Sequence, residues 1–307
     1  MEIIIGSAKD KTWRWLRVLF FKTISFNSGK IDQFKAIFLS MYKYEGQLVH
    51  QSHDDEGVIE IIDHDGVRAL HFGSEARQST MLLDDPNQLH SLYARAMMAL
   101  LLFHDNPKDI LMIGLGGGTV TKFLLHQFAE CNIKVIEYRR GVLKIARSHF
   151  GLPLDPRLKV KIGCGAEYVN QQSKIKSAQH DLIMIDAFDH SGMAPEVGNE
   201  IFFDHCRTLL SDTGLLVINL WGTDKNLFQT VAWNMGRVFD WRILFLPVRR
   251  RGNIIGFAFG ENKPKPSMKE LQLKAKQLEQ QYQLEFPVFV QDFKRNNNKV
   301  LNRVFRQ

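Results

Sequence analysis

An α/β fold is predicted: a mostly parallel seven-stranded sheet with helices on both faces, preceded by a small N-terminal antiparallel β domain. Three observations predict it. From Asp109 onward, short apolar runs alternate with helical patterns, which is how parallel strands buried on both faces read. The first of these runs ends in glycines at alternate positions, Gly114, Gly116 and Gly118, and a helical pattern begins at Thr119. Ahead of it, residues 57–72 alternate around an Asp-Gly turn, as an antiparallel hairpin does.

Taken in order, residues 1–46 read as an N-terminal helical extension with apolar stretches at 13–21 (WRWLRVLFF) and 34–42. The first stretch has no small-residue cleavage site behind it. An amphipathic helix packed on the protein is therefore favoured over a signal peptide, with membrane-surface attachment through residues 13–21 as the sharper alternative. Residues 47–83 form the small β domain, with strands at 57–62, 67–72 and 76–81. Asp84-Asp85-Pro86 signals a helix start, because Asp caps free amides and Pro fits a first turn. The helix expected over 87–102 carries Leu89, Leu92, Ala96, Met97, Leu100 and Leu101 at core spacing.

Residues 84–262 are expected to form the Rossmann-like main domain. Its parallel strands fall at 110–113, 133–136, 158–162, 181–185 and 214–220, with helices at 119–128, 141–150, 200–210 and 225–238. Strands at 243–247 and 253–259 add an antiparallel hairpin across the basic turn Arg249-Arg250-Arg251-Gly252. A linker at 263–266 leads to a C-terminal helical appendage, 263–307, opened by the capping box Ser267-x-x-Glu270.

In such sheets ligands bind beyond the carboxyl ends of the strands, near the switch in strand order. The residues there are Gly114–Gly118, Glu137, Gly163–Gly165, Asp186–Asp189 and Asn219–Trp221. The glycines admit close backbone approach to a ligand and tight strand–helix packing. Glu137 ends the second strand, where an acid can accept hydrogen bonds from both ribose hydroxyls of a nucleoside.

Composition narrows the function classes. The 307 residues contain 45% hydrophobic and 24% charged side chains, ordinary for a globular protein with ample core. The net charge of +7 is dispersed apart from Arg249–Arg251 and the tail, which argues against nucleic acid as the partner. Cys131, Cys164 and Cys206 are few, odd in number and far apart. They fit a reducing compartment, and a cytoplasmic location is the expectation.

The small β domain, GLGGG, VIE, the G-x-G after strand three and IDAFDHSGMAP together resemble the spermidine synthase (polyamine aminopropyltransferase) family over residues 57–260. The resemblance implies a class I methyltransferase-like fold, a homodimer, no metal, and S-adenosylmethionine or its decarboxylated form as donor substrate. It implies that Gly114, Gly116 and Gly118 approach the nucleoside and sulfonium, that Glu137 holds the ribose, and that Gly163, Cys164 and Gly165 border the adenine. Gln78 would stand at the ligand and Tyr93 beside the amine. Asp186 and Asp189 match the family's D-x-x-D motif, with Asp186 as proton acceptor and Asp189 anchoring the amine.

Four departures accompany the resemblance. Gly117 replaces an aspartate of the glycine loop, Tyr93-Ala94-Arg95 replaces Y-H-E, Cys164 replaces the aspartate of G-D-G, and Arg139 stands where an acid is usual. The resemblance implies that the aspartate lost at 117 would hold the aminopropyl amine of the decarboxylated donor, and that the one lost at 164 would accept from the adenine amino group. Exchanging acids for Gly, Ala and Arg should weaken binding of a polycationic substrate. The resemblance implies aminopropyl transfer to a diamine such as putrescine. Methyl transfer from intact S-adenosylmethionine and a non-catalytic nucleoside-binding role stay open as alternatives.

Overall fold

The computed structural model describes residues 44–175, 179–187 and 196–306. The expectations for helices within residues 1–43, and the positions of Asp189 and Pro195, lie outside the described residues. Residues 46–307 make one compact unit.

Its first part is an antiparallel meander of β1 (Gln47–Asp54), β2 (Gly57–His64), β3 (Val67–His71) and β4 (Arg77–Leu82), paired in that order. The β2–β3 turn places Asp65 and Gly66 both at positive φ, 47° and 73°. That is the backbone an Asp-Gly pair adopts most readily in a two-residue hairpin.

The helix expected over 87–102 is shorter than its pattern. An α-helix, α1, covers only Leu92–Met97, and Met98–Leu102 continues as a 3₁₀ helix. The preceding loop is tied down instead: the Lys122 amine donates to the Pro86 carbonyl at 2.8 Å. The Ser91 hydroxyl is shared with Thr80 at 2.6 Å and caps no helix amide.

The second part alternates β5 (Asp109–Ile113), α2 (Thr119–Gln127), β6 (Asn132–Glu137), α3 (Arg140–His149), β7 (Leu158–Ile162), α4 (Gly165–Ile175), β8 (His180–Ile185), α5 (Glu200–Leu209), β9 (Leu210–Trp221) and α6 (Lys225–Val238). The hairpin β10 (Ile243–Pro247) and β11 (Asn253–Phe259) then joins β9 antiparallel. The strand order is β10-β11-β9-β8-β5-β6-β7, parallel from β9 to β7. This is the seven-stranded, helix-covered sheet expected from the sequence. The order reverses at β5, so the ends of β5, β6 and β8 open on one crevice.

Alternate residues of β5 serve two cores. Ile110 and Met112 join the cluster containing Ile59, Leu70, Val217 and Phe257, whereas Leu111 and Ile113 join Ile183, Phe202 and Ile218. The C-terminal helices α7 (Met268–Tyr282), α8 (Phe286–Asn296) and α9 (Leu301–Val304) contribute Leu271, Phe286 and Phe293 to the first cluster. The Phe293 ring packs 5.2 Å from Phe257. We therefore propose that residues 263–307 complete the core rather than append to it.

Arg139 ties the small sheet to the large one. Its guanidinium reaches both carboxylate oxygens of Asp54 at 3.1 and 2.6 Å and the Gly57 carbonyl at 3.0 Å, and lies 4.4 Å over the Phe72 ring. The pair is partly buried, so removing Arg139 leaves the Asp54 charge without its partner at a cost of roughly 1–3 kcal/mol. Arg139→Ala is expected to lower the midpoint of thermal unfolding markedly. An unchanged midpoint would show that the clamp contributes nothing.

Candidate active site

The crevice is roofed by β4. Ser79 accepts a hydrogen bond from the Gly117 amide at 2.9 Å, which seats the small sheet on the glycine loop. Gly114, at φ 91°, would place a Cβ 2.1 Å from the Asp186 carbonyl oxygen, and Gly116 would place one 2.6 Å from the Ser79 hydroxyl. Gly118 and Gly165 likewise face Leu152 and Ile113. These glycines are thus required by the protein's own close packing. In front of Gly163, at φ 156°, nothing lies within 4 Å, so among the glycines at these strand ends this one faces open space.

Glu137 is buried at the end of β6. Its carboxylate accepts the Leu115 amide at 2.8 Å and the Arg139 amide at 2.7 Å. Burial pushes its pKa above the ordinary carboxylate value, while these amides and the Arg139 charge pull the other way. Glu137 therefore orders the glycine loop from below, and each oxygen retains a lone pair for a further donor.

Asp186 follows β8 and stands at the centre of a polar chain. The Asn219 side chain donates to it at 2.9 Å, and Asn253 donates to Asn219 at 3.0 Å. The Tyr93 hydroxyl is also within hydrogen-bonding reach of Asp186 and lies 3.1 Å from the Gln78 carbonyl, and its one proton serves one of these acceptors at a time. Burial drives the Asp186 carboxyl above its usual range, and the Asn219 and Tyr93 hydrogen bonds hold it back. Burial first, then the Asp186 charge, pushes the Tyr93 phenol well above its ordinary value.

Of the residues singled out from sequence, the structure thus brings together Gln78, Tyr93, Gly114, Gly116, Glu137 and Asp186, with Gly163, Cys164 and Gly165 ending the next strand but one. Ser79 and Asn253 were not anticipated, and Asn219 only as a strand end. The single polar residue inside the apolar run of β9 was the available signal for it. Among the described residues no cluster of His, Cys, Asp or Glu could hold a metal.

The four departures turn out to differ in kind. Arg139 is spent on Asp54. Arg95 does not face the amine side: its guanidinium makes an ion pair with Glu285 at 2.7 Å and donates to Leu89 and Gln283 carbonyls. Gly117 is hemmed in, since a Cβ there would meet the Phe150 ring at 2.7 Å and Ser79 Cβ at 3.0 Å. Phe150, fully buried, occupies the room a side chain at 117 would need. The Cys164 carbonyl accepts the Tyr168 amide at 3.0 Å as α4 begins.

This arrangement has relatives. A family model described as the spermine/spermidine synthase domain matches residues 91–270, more than half of the chain. A polyamine aminopropyltransferase of Chromobacterium violaceum is 35% identical over 242 residues, spanning 78% of this chain and 91% of that protein. The chain belongs to the spermine/spermidine synthase family. This spermine/spermidine synthase homologue also shares its fold with solved structures. One is a spermidine synthase in complex with the transition-state analogue AdoDATO, with a TM-score of 0.57 and 20% identity over 85% of each chain. Another is human methyltransferase-like protein 13 in complex with SAH, with a TM-score of 0.57 and 24% identity over 63% of this chain and 93% of that one.

Proposed function

We propose that the protein transfers an aminopropyl group from decarboxylated S-adenosylmethionine to an amine such as putrescine. The observation that carries this reading is the buried Asp186, hydrogen-bonded by Asn219 and Tyr93, at the strand end beside the glycine loop. Support comes from the aminopropyltransferase of Chromobacterium violaceum, similar over most of its length, and from the analogue-bound spermidine synthase of like fold.

In this reading the Gly163–Gly165 strand end borders the adenine and Glu137 holds the ribose. The amine nitrogen bonds to the carbon next to sulfur in line with the carbon–sulfur bond. That bond's electron pair leaves on sulfur as a neutral thioether, and the proton released by the amine passes to Asp186. A carboxyl raised by burial is a better-matched base for an amine than one in water. Asp186 and Tyr93 also orient the nucleophile, which alone removes a large part of the barrier. Asp189 is assigned to anchoring the amine by the D-x-x-D motif.

Asn219 gives this assignment a pH test. Its hydrogen bond favours the charged form of Asp186, so Asn219→Ala should raise the Asp186 pKa further. The acidic limb of kcat/KM against pH is then expected to move to higher pH. An unmoved limb would separate Asp186 from the titrating base.

A second reading, methyl transfer from intact S-adenosylmethionine, is favoured by Gly117, where no carboxylate stands to repel the carboxylate of the intact donor. Calorimetric titration of the full chain with each donor separates the two. Tighter binding of the decarboxylated donor is expected, and a clear preference for the intact one would overturn the first reading.

A further inference from the structure

The polar chain behind Asp186 runs one residue deeper than the acid's own partners. Asn219 and Asn253 are both buried, in strands whose other buried positions are apolar. Two buried amides in such a sheet are costly unless each meets a partner. β11 pairs with β9 so that Ile255 lies opposite Asn219 and Asn253 opposite Trp221. Asn253 is therefore the diagonal neighbour of Asn219 on the same face of the sheet. The Gly222 amide, 2.7 Å from the Gly252 carbonyl, closes the pairing just beyond this point.

Orientation is what the Asn253 contact supplies. The Asn219 side-chain amide has an accepting and a donating end of nearly equal shape, so packing alone does not select which end faces Asp186. Asn253 donates its NH2 to the Asn219 oxygen at 3.0 Å, and the Asn219 NH2 then donates to Asp186 Oδ1 at 2.9 Å. Turned over, Asn219 would set its oxygen against the carboxylate and its NH2 against that of Asn253, and both bonds would be lost. From α1, Tyr93 also faces Asp186, and burial pushes its phenol well above its ordinary value, so it stays uncharged at neutral pH. From β5 the contact is between backbones, the Asp186 amide donating to the Ile113 carbonyl at 2.8 Å.

We propose that Asn253 is a positioning residue: by fixing the Asn219 amide it keeps an NH2 group on the Asp186 carboxylate and favours the ionised acid, ready for the proton of the amine. It acts through Asn219. This deepens the transfer reading and rests on it for the role of Asp186 as proton acceptor.

The test reads Asp186 itself, apart from turnover. The full chain, isotopically labelled at the aspartate carboxyls, is titrated with pH under carbon NMR, the Asp186 signal being assigned by its loss in Asp186→Asn. Asn253→Ala is expected to move the Asp186 titration up by about one pH unit. Asn253→Asp keeps the side-chain shape, but its carboxylate only accepts. Asn219 then turns its oxygen on Asp186, and a larger upward shift is expected. In the Asn219→Ala background, Asn253→Ala is expected to add nothing, because the residue it acts through is gone. No shift in either single variant, or an equal shift from Asn253→Ala with Asn219 absent, would overturn the proposal. The acidic limb of kcat/KM with decarboxylated S-adenosylmethionine and putrescine is expected to follow the NMR shift. An Asp186 titration that moves while the limb stays in place, or while the parent chain forms no product, would leave the Asn253 assignment standing and remove the transfer reading.

Discussion

Asp186→Asn is expected to lower the transfer rate by about a hundred- to ten-thousand-fold, the usual contribution of a positioned proton acceptor. Asparagine keeps the shape of aspartate and still accepts the Asn219 hydrogen bond through its carbonyl oxygen. The fold and donor affinity should therefore be retained, which confines the loss to kcat. A transfer rate close to the parent's would exclude Asp186 as the base. The same result would favour a chemistry in which the amine arrives already deprotonated and needs only orientation.

The second large effect is on folding. Gly114→Ala introduces a methyl 2.1 Å from the Asp186 carbonyl oxygen at a φ of 91°. Neither atom can give way, because Asp186 is itself fixed by its amide to the Ile113 carbonyl at 2.8 Å. A loss of about 4 kcal/mol or more is expected from combined overlap and backbone strain, read as a collapse of the denaturation midpoint. Gly163→Ala is the internal control, strained in φ but facing open space, and should cost distinctly less. Equal losses would place the whole effect in the dihedral angle and remove the contact between the glycine loop and the β8 end as its cause.

How much of this was legible beforehand varies with the physics involved. The parallel strands were readable because apolar runs buried on both faces carry their own boundaries, and Asp65-Gly66 fixed the hairpin for the same local reason. The helix over 87–102 was overextended. Helical spacing continued through Leu89, but contacts distant in sequence, from Lys122 to Pro86 and from Thr80 to Ser91, hold that segment as a loop. Helix α8 was missed although Phe286, Phe289, Val290 and Phe293 recur at helical spacing. Its Pro287 reads as a breaker until it is seen to sit in the first turn, where proline is tolerated.

The site shows the same division. Asp186 and Glu137 could be named because strand ends are predictable from the chain. Asn219 and Asn253 could not be joined to Asp186, since the pairing of β11 with β9 that aligns them is a long-range event. The departures at Arg95 and Arg139 looked like changes to the amine pocket. In the folded chain both arginines answer acids elsewhere, Glu285 and Asp54, and they alter stability more than specificity. The change at Gly117 is different, because Phe150 fills the space and a carboxylate cannot simply be restored there. The donor's amine must accordingly be held by other groups, and that is where this chain and its family's usual pattern diverge most.

The most direct test of the central claim is product analysis by mass spectrometry. The full chain is incubated with decarboxylated or intact S-adenosylmethionine and putrescine. The account predicts an acceptor lengthened by one aminopropyl group, with methylthioadenosine released in equal amount and only from the decarboxylated donor. A methylated acceptor with S-adenosylhomocysteine, or no modified acceptor from either donor, would contradict it.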